Sequence, residues 1–412
     1  MNVQIEPQSL RGTVRAIPSK SDAHRALICA ALADDKTLYS RLAKRLTGAG
    51  AAEDLLATVQ CLDALLSDQQ PVCLDCRESG STLRFLLPVA AAVAERTRLT
   101  GSGRLPFRPL GELRTQMERH GVQFSAEQLP FEITGRLTGG TYTLPGNISS
   151  QYVTGLLLAL PLLPDDSQLT LTTPLESAAY VEMTLKTLQT FGIRIQPTKD
   201  GFLIPGRQHY HAPDALEPEG DWSNAAFFLT AGMLGSGVEL LGLSPDSVQA
   251  DRAILSCLAD FGAEVNETKR SACVVSNPSV PKKPCRIDVS PFPDLFPILA
   301  VAACAVDGET QLGNAARLRL KESDRIASTA AMITALGGHV TEAPDALTIH
   351  GTGRLNGGTV SGMGDHRIVM AAAIASMLCS SPVQILGAEA VQKSYPLFFE
   401  DFQQLGGNVH VV

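Results

Sequence analysis

In the stretch RLRLKESDRIASTAAM, residues 317 to 332, four charged side chains fall within five positions: Lys321, Glu322, Asp324 and Arg325. Ile326, Ala330 and Ile333 follow at helical spacing, which puts these charges at the head of an amphipathic helix. Lys321 and Arg325 stand four apart, and like charges at that spacing repel on a helix surface. Cations are also disfavoured at a helix N-terminus, where the dipole is already positive. The pattern is therefore either a solvated charge run or a pair of cations that holds an anion. The chemistry at stake is anion binding, and the rest of the chain has to supply its setting.

That setting is acidic and soluble in character. The 412 residues carry a net charge of −8, with 44% hydrophobic and 18% charged residues, which argues against nucleic acid or an acidic membrane as a partner. An anion site must then be a local cationic patch on an acidic protein. The nine cysteines are odd in number and lie mostly inside apolar runs, as reduced thiols of a cytosolic protein do. Cys73 and Cys76 form one CxxC without a partner pair, so no metal site is expected. The N-terminus shows no signal-peptide pattern, and the apolar runs are too short to span a membrane.

One grammar recurs along the chain. A turn rich in Gly, Pro, Ser or Asp opens into an Ala- and Leu-rich helix in IPSKSDAHRALICAALA, CRESGSTLRFLLPVAAAVA, PGNISSQYVTGLLLALPLL, PEGDWSNAAFFLTAGML, SPFPDLFPILAVAACAV and GMGDHRIVMAAAIASML. The starts are roughly 60 to 75 residues apart. Amphipathic helices closed by glycine, followed by strands, come after them in MERHGVQF, LQTFGIRI, LADFGAEV, ITALGGHV and FQQLGGNV. Helices apolar nearly all round are buried on every side. The expected fold is α/β (α+β): two similar domains, each of three βαβαββ units with buried parallel helices and outer sheets. The expected boundaries are 19–218 for one domain and 1–18 with 219–412 for the other, with hinges near 217–220 and 15–19. Pro213 and Pro218 mark the first hinge. The buried helices begin at Lys20 and Ser21, Ser79 and Gly80, Ser149 and Ser150, Asp221, Asp294, and His366 and Arg367. If the helices are parallel, these ends share one face of each domain and offer unpaired N–H groups to an anion.

The chain resembles the 5-enolpyruvylshikimate-3-phosphate synthase family over essentially its whole length. PSKSDAHR, ESGSTLRF, FRPLGEL, ISSQYVTGLLLA, SAAYVEMTL, EGDWSNAAFF, FPDLFPILAVAA, LRLKESDRI, GDHRIVMA and KSYPLFFEDF carry the likeness, in that order. The resemblance implies transfer of the enolpyruvyl group of phosphoenolpyruvate to the 5-hydroxyl of shikimate 3-phosphate. Phosphate is released by addition and elimination, through a tetrahedral intermediate. It also implies no cofactor or metal, a cytoplasmic monomer, and domains that close over the substrates. The sister transferase acting on UDP-N-acetylglucosamine would need a nucleotide site where the SSQY and SxxY motifs stand. A non-catalytic binder of phosphorylated metabolites would have no use for carboxylates among its cations.

Matching motif by motif, the resemblance implies Lys20, Gly80, Arg108, Gln151, Arg325, Arg367 and Lys393 at phosphoenolpyruvate. Arg325 and Arg367 would fork onto its carboxylate. For shikimate 3-phosphate it implies Ser149, Ser150 and Ser177 at the phosphate and Arg25 at the carboxylate. Lys20, Ser21, Gln151, Tyr180, Asp294 and Lys321 complete that set. Asp294 and Glu322 would divide the proton transfers, with Lys20 sharing them. Asp294 also reads as a helix cap and Glu322 as a helix-surface charge. His366 is either a catalytic hydrogen-bond donor or a core histidine. Asp54 matches an acid near the family's site. Glu78 and Ser81 depart from the commoner Asn and Thr beside the Gly80 turn, and Arg84 is a partner open to Glu78.

Overall fold

The computed structural model describes every residue except 49, 68–69 and 278. The chain separates into two compact units, Lys20–Pro218 (the middle unit) and Met1–Ser19 with Glu219–Val412 (the terminal unit).

The middle unit holds helices α1 (Lys20–Leu32), α2 (Thr37–Leu46), α3 (Glu53–Leu66), α4 (Gly80–Val93), α5 (Gly111–Arg119), α6 (Ser150–Ala159) and α7 (Ala178–Thr190). The terminal unit holds α8 (Trp222–Leu234), α9 (Ile254–Asp260), α10 (Phe296–Cys304), α11 (Arg325–Ala335), α12 (His366–Ala375) and α13 (Phe398–Gln404). Every residue of α10 is buried, as are nearly all of α8 and α12. In the middle unit α4 and α6 are the equivalents, and α6 packs on α4. Gly155 makes that approach possible, because a Cβ there would lie 2.2 Å from the carbonyl oxygen of Arg84.

The described residues form five four-stranded sheets of one pattern. A parallel pair is spanned by a buried helix, and two antiparallel strands complete the sheet. Thus Val72–Asp75 pairs with Arg96–Thr100 across α4, and Arg286–Asp288 with Gly308–Gly313 across α10. The amphipathic helices α5, α7, α9, α11 and α13 end just before Gly121, Gly192, Gly262, Gly337 and Gly406, all at positive φ, the left-handed stop that glycine adopts without cost. Two strands of the terminal unit come from the start of the chain. Asn2–Glu6 lies between Val383–Leu386 and Asn408–Val411, and Gly12–Arg15 runs parallel to Val238–Leu241.

The first repeat corrects the expectation of three βαβαββ units in each half. Between α1 and Val72 the described residues form α2 and α3 and no sheet. The cause is local. Leu38, Leu42 and Leu46 recur at the helical period and are buried, so TLYSRLAKRL forms a helix where the other repeats form a strand. No glycine stop follows α3 either, and the chain passes directly to the first strand of the next repeat.

Candidate active site

Helix starts carry several candidate side chains of the middle unit. Lys20 opens α1, and its Nζ donates to Asp54 Oδ2, near the start of α3, at 2.8 Å. Ser79 caps α4 by accepting from the Thr82 N–H, and Ser149 caps α6 by accepting from the Gln151 N–H. Gln151 Nε2 donates to Ser81 Oγ at 3.0 Å, which joins the two helix starts. Ser150 is the first residue of α6. Ser177 precedes α7 in a left-handed conformation, φ 54°, an uncommon state for a residue with a side chain.

Two guanidinium groups meet over Gly80. A Cβ at that position would lie 2.5 Å from Arg108 Nη1 and 2.7 Å from Arg84 Nη1, so a side chain there would displace the two guanidinium groups. Arg84 is held by the Gly80 and Pro109 carbonyls. The Arg108 Nε is buried without an acceptor among the described residues, a state that costs about 1–3 kcal/mol until a partner arrives. The Glu78 carboxylate lies against Gly103, where a Cβ would be 2.5 Å from its Cδ.

Arg25 is buried in the same unit. It donates to Thr184 Oγ1 at 2.8 Å and to the Tyr180 carbonyl at 2.8 Å, and it also bonds the Ser21 carbonyl. Burial lowers it to about 10, against the pull of Asp22. Its present partners hold α1 to α7.

In the terminal unit the charged run 321–325 lies at the start of α11. Asp324, not Lys321, begins the helix: it caps α11 through the Ala327 N–H at 3.1 Å. Lys321 and Glu322 stand before the helix, so neither the helical pairing of Lys321 with Arg325 nor the helix-surface reading of Glu322 holds. An anion does lie between the cations. It is Asp294, whose Oδ1 is 2.6 Å from Arg325 Nη1 and 4.0 Å from Lys321 Nζ. Arg325 is a hub with 2% of its side chain exposed. Its Nη2 donates to Glu322 Oε2 at 2.6 Å and its Nε to Asp365 Oδ2 at 2.9 Å.

Asp294 sits in a short 3-10 turn, Pro293–Leu295, ahead of α10. The cap position belongs to Leu295, so the capping reading of Asp294 also fails. Its second oxygen accepts from Arg367 Nη2 at 3.0 Å. Burial works to raise its proton affinity, but Arg367, Lys321 and Arg325 outweigh burial and the repulsion of Glu322, so the carboxyl is held well below its ordinary range. The Arg325 guanidinium is held above its ordinary value: burial opposes the charge, and Asp365, Glu322 and Asp294 prevail. Arg367 also has a buried Nε without an acceptor among the described residues. His366 is buried at the start of α12, and Lys393 Nζ donates to the Gly364 carbonyl at 2.9 Å.

Asp365 is the residue that sequence reasoning passed over. It is fully buried and caps α12 through the Arg367 N–H at 3.0 Å. Its other oxygen receives both Arg325 and Ser323. The signal was present: an acid at a helix start, immediately before two polar residues of a buried helix.

Solved structures share this architecture. An EPSP synthase from Acinetobacter baumannii aligns over the whole of both chains with a TM-score of 0.78 and 23% identity. An enolpyruvyl transferase from Streptomyces tendae aligns over 99% of this chain and 98% of its own, with a TM-score of 0.74 and 17% identity. The fold is therefore that of the enolpyruvyl transferases. Residues 5–402 match the family described as EPSP synthase (3-phosphoshikimate 1-carboxyvinyltransferase). A protein of that description from Clostridium kluyveri is 42% identical, covering 99% of this chain and 98% of its own. One from Clostridium acetobutylicum is 40% identical over the same shares. The chain belongs to the EPSP synthase family.

Proposed function

We propose that this protein transfers the 1-carboxyvinyl group of phosphoenolpyruvate to the 5-hydroxyl of shikimate 3-phosphate, releasing phosphate, as a step of aromatic amino acid biosynthesis. The observation that carries the residue roles is the Arg325 hub, where Asp294 and Glu322 share one buried arginine.

The reaction needs a base for a hydroxyl, an acid for a methylene carbon, and later the reverse of the carbon protonation. Asp294 is the base and Glu322 the carbon acid, with Lys20 sharing proton transfer. Held by Arg325 and Arg367, Asp294 is ionised but weakly basic. The phosphoenolpyruvate carboxylate takes donors from the same two arginines. Three of the five N–H donors of Arg325 are already engaged, so an incoming carboxylate shares the fork and weakens its hold on Asp294. Binding thereby makes Asp294 a better base at the moment one is required.

Arg108, Lys20, Lys393, Gly80 and Gln151 hold the phosphoenolpyruvate phosphate and its surroundings. The orphaned Nε groups of Arg108 and Arg367 support anion binding at both positions. Ser149, Ser150 and Ser177 take the shikimate phosphate, Arg25 the shikimate carboxylate, and Ser21, Tyr180 and Lys321 line the ring. His366, Asp54, Glu78 and Ser81 are accessory. The reading includes a cytoplasmic monomer that works without metal or cofactor.

The test is phosphate release by purified protein in metal-free buffer, with both substrates together and with each omitted. Release only with both supports the reading, and none with both rejects it. Glu322→Gln should keep shikimate 3-phosphate binding and lower turnover by about 100-fold or more. Unchanged turnover would remove Glu322 from the mechanism.

A further inference from the structure

Lys321, Glu322 and Ser323 belong to no helix or strand: a 3-10 helix, Ala316–Leu320, ends before them and α11 begins after Asp324. A segment without helical or ladder bonds is held in place by side chains. From the buried side, Arg325 Nη2 donates to the Glu322 carboxylate, and the Ser323 hydroxyl donates to Asp365 Oδ2. From the solvent side stands Arg319, 29% exposed in its side chain, which the proposed mechanism does not use.

Arg319 makes four hydrogen bonds. Its Nε donates to the Pro344 carbonyl at 2.8 Å and its Nη1 to Asp324 Oδ2 at 2.8 Å. Its Nη2 donates to the Ala343 carbonyl at 2.8 Å and to Glu342 Oε1 at 2.9 Å. Four acceptors exceed the three donors of a lysine ammonium, so the set requires a guanidinium. Ala343 and Pro344 stand at the tight turn between the strands His339–Ala343 and Ala346–Gly351. The Asp345 carbonyl of that turn also accepts the Ala315 N–H at 2.8 Å. Asp324 serves two partners, because its other oxygen caps α11. The bond from Arg319 to Asp324 therefore closes residues 319–324 into a ring. That ring is fastened on one side to the hairpin turn and on the other to the first turn of α11, and it encloses Lys321, Glu322 and Ser323. Ion pairs this exposed add little to stability. What the ring fixes is the position of the backbone that carries Glu322.

We infer that Arg319 is a positioning residue for proton transfer: by closing the ring with Asp324 against the hairpin turn, it sets the backbone of Glu322, while Arg325 sets the carboxylate. This rests on the proposed role of Glu322 as the carbon acid.

Arg319→Met keeps the stem and removes every bond of the fork. It should lower kcat by about 10- to 100-fold, the scale of displacing a reacting group by about 1 Å, and leave KM for phosphoenolpyruvate within about threefold. Asp324→Asn keeps the cap on α11 and puts an NH2 donor opposite Arg319 Nη1, which opens the ring from its other end. It should lower kcat by a similar factor, and the double variant should be no worse than Arg319→Met alone. Glu342→Gln removes the outer charge and leaves the ring closed, so kcat should stay within about twofold of normal. The deciding measurement is Arg319→Met in a Glu322→Gln background. A residue that acts through Glu322 has no acid left to position there, so kcat should fall no more than about twofold below that of Glu322→Gln. An equal loss in the two backgrounds, or an Arg319→Met protein of normal kcat, overturns the inference and leaves the proposed reaction standing. If Glu322→Gln by itself keeps normal turnover, the role of Glu322 fails, and the inference with it.

Discussion

Substituting Asp365 tests whether the Arg325 hub is built as described. In Asp365→Asn the side-chain oxygen still caps α12, so the Arg367 N–H keeps its acceptor. An NH2 donor then stands opposite Arg325 Nε, which loses its acceptor together with the charge, and the Ser323 hydroxyl can only accept from it. Arg325 retains Asp294 and Glu322, so the full cost of an unpaired buried charge does not apply. The loss is one charge-assisted hydrogen bond, about 1.5–3 kcal/mol. Asp365→Ala also loses the cap, about 1 kcal/mol, for a total of about 2.5–4 kcal/mol. At about 2–4 °C per kcal/mol for a unit of this size, Tm of the terminal unit should fall by about 3–12 °C in the asparagine variant and by more in the alanine variant. Calorimetry measures both. Equal shifts in the two variants, or shifts under about 2 °C, would refute the assignment of Asp365 as the buried counter-charge.

Arg325→Lys should lose the fork that three carboxylates share, lowering kcat/KM by about 100-fold or more and lowering Tm; steady-state kinetics and calorimetry check both. Because Asp294 is held below its ordinary range, its stabilising effect is complete above the unfolded carboxylate value of about 3.9 and is lost as pH falls through and below it; urea titrations from pH 7 to pH 3 should show a shallower acid-side loss in Asp294→Asn. Gly80→Ala places a methyl against both guanidinium groups and should raise KM for phosphoenolpyruvate more than KM for shikimate 3-phosphate. Gly155→Ala would drive a methyl into the Arg84 carbonyl and should cost about 1–3 kcal/mol or more in stability, read from the denaturant midpoint.

The repeats, the buried helices and the glycine stops were all legible in the sequence, because each depends on local periodicity and on one residue type at a helix end. The missing sheet of the first repeat was legible in the same marks. Six buried helices were followed by only five glycine-terminated partners, and TLYSRLAKRL keeps a helical period. The choice of charge partners was not legible. Lys321 and Arg325 announce an anion, but nothing in their spacing says that Asp294, some thirty positions away, fills the place. Asp365 escaped for the same reason: hydrogen-bond partners on different elements are set by packing, and the residue alone reads as a cap.

The strand Asn2–Glu6 needs Val383–Leu386 and Asn408–Val411 as neighbours. During vectorial synthesis it emerges well before these partners and waits for the nearly 400 residues between them, ~20–80 s at ordinary elongation rates. Lys20–Pro218 is continuous and can condense meanwhile. The waiting segment carries Val3 and Ile5, which end up buried, so for that interval it is an apolar edge exposed to other nascent chains. Chaperone demand for this protein should therefore fall on this strand, far from the chemistry, and a circular permutant that begins near Glu219 and joins Val412 to Met1, so that Asn2–Glu6 follows its partner strands directly, should shorten the wait.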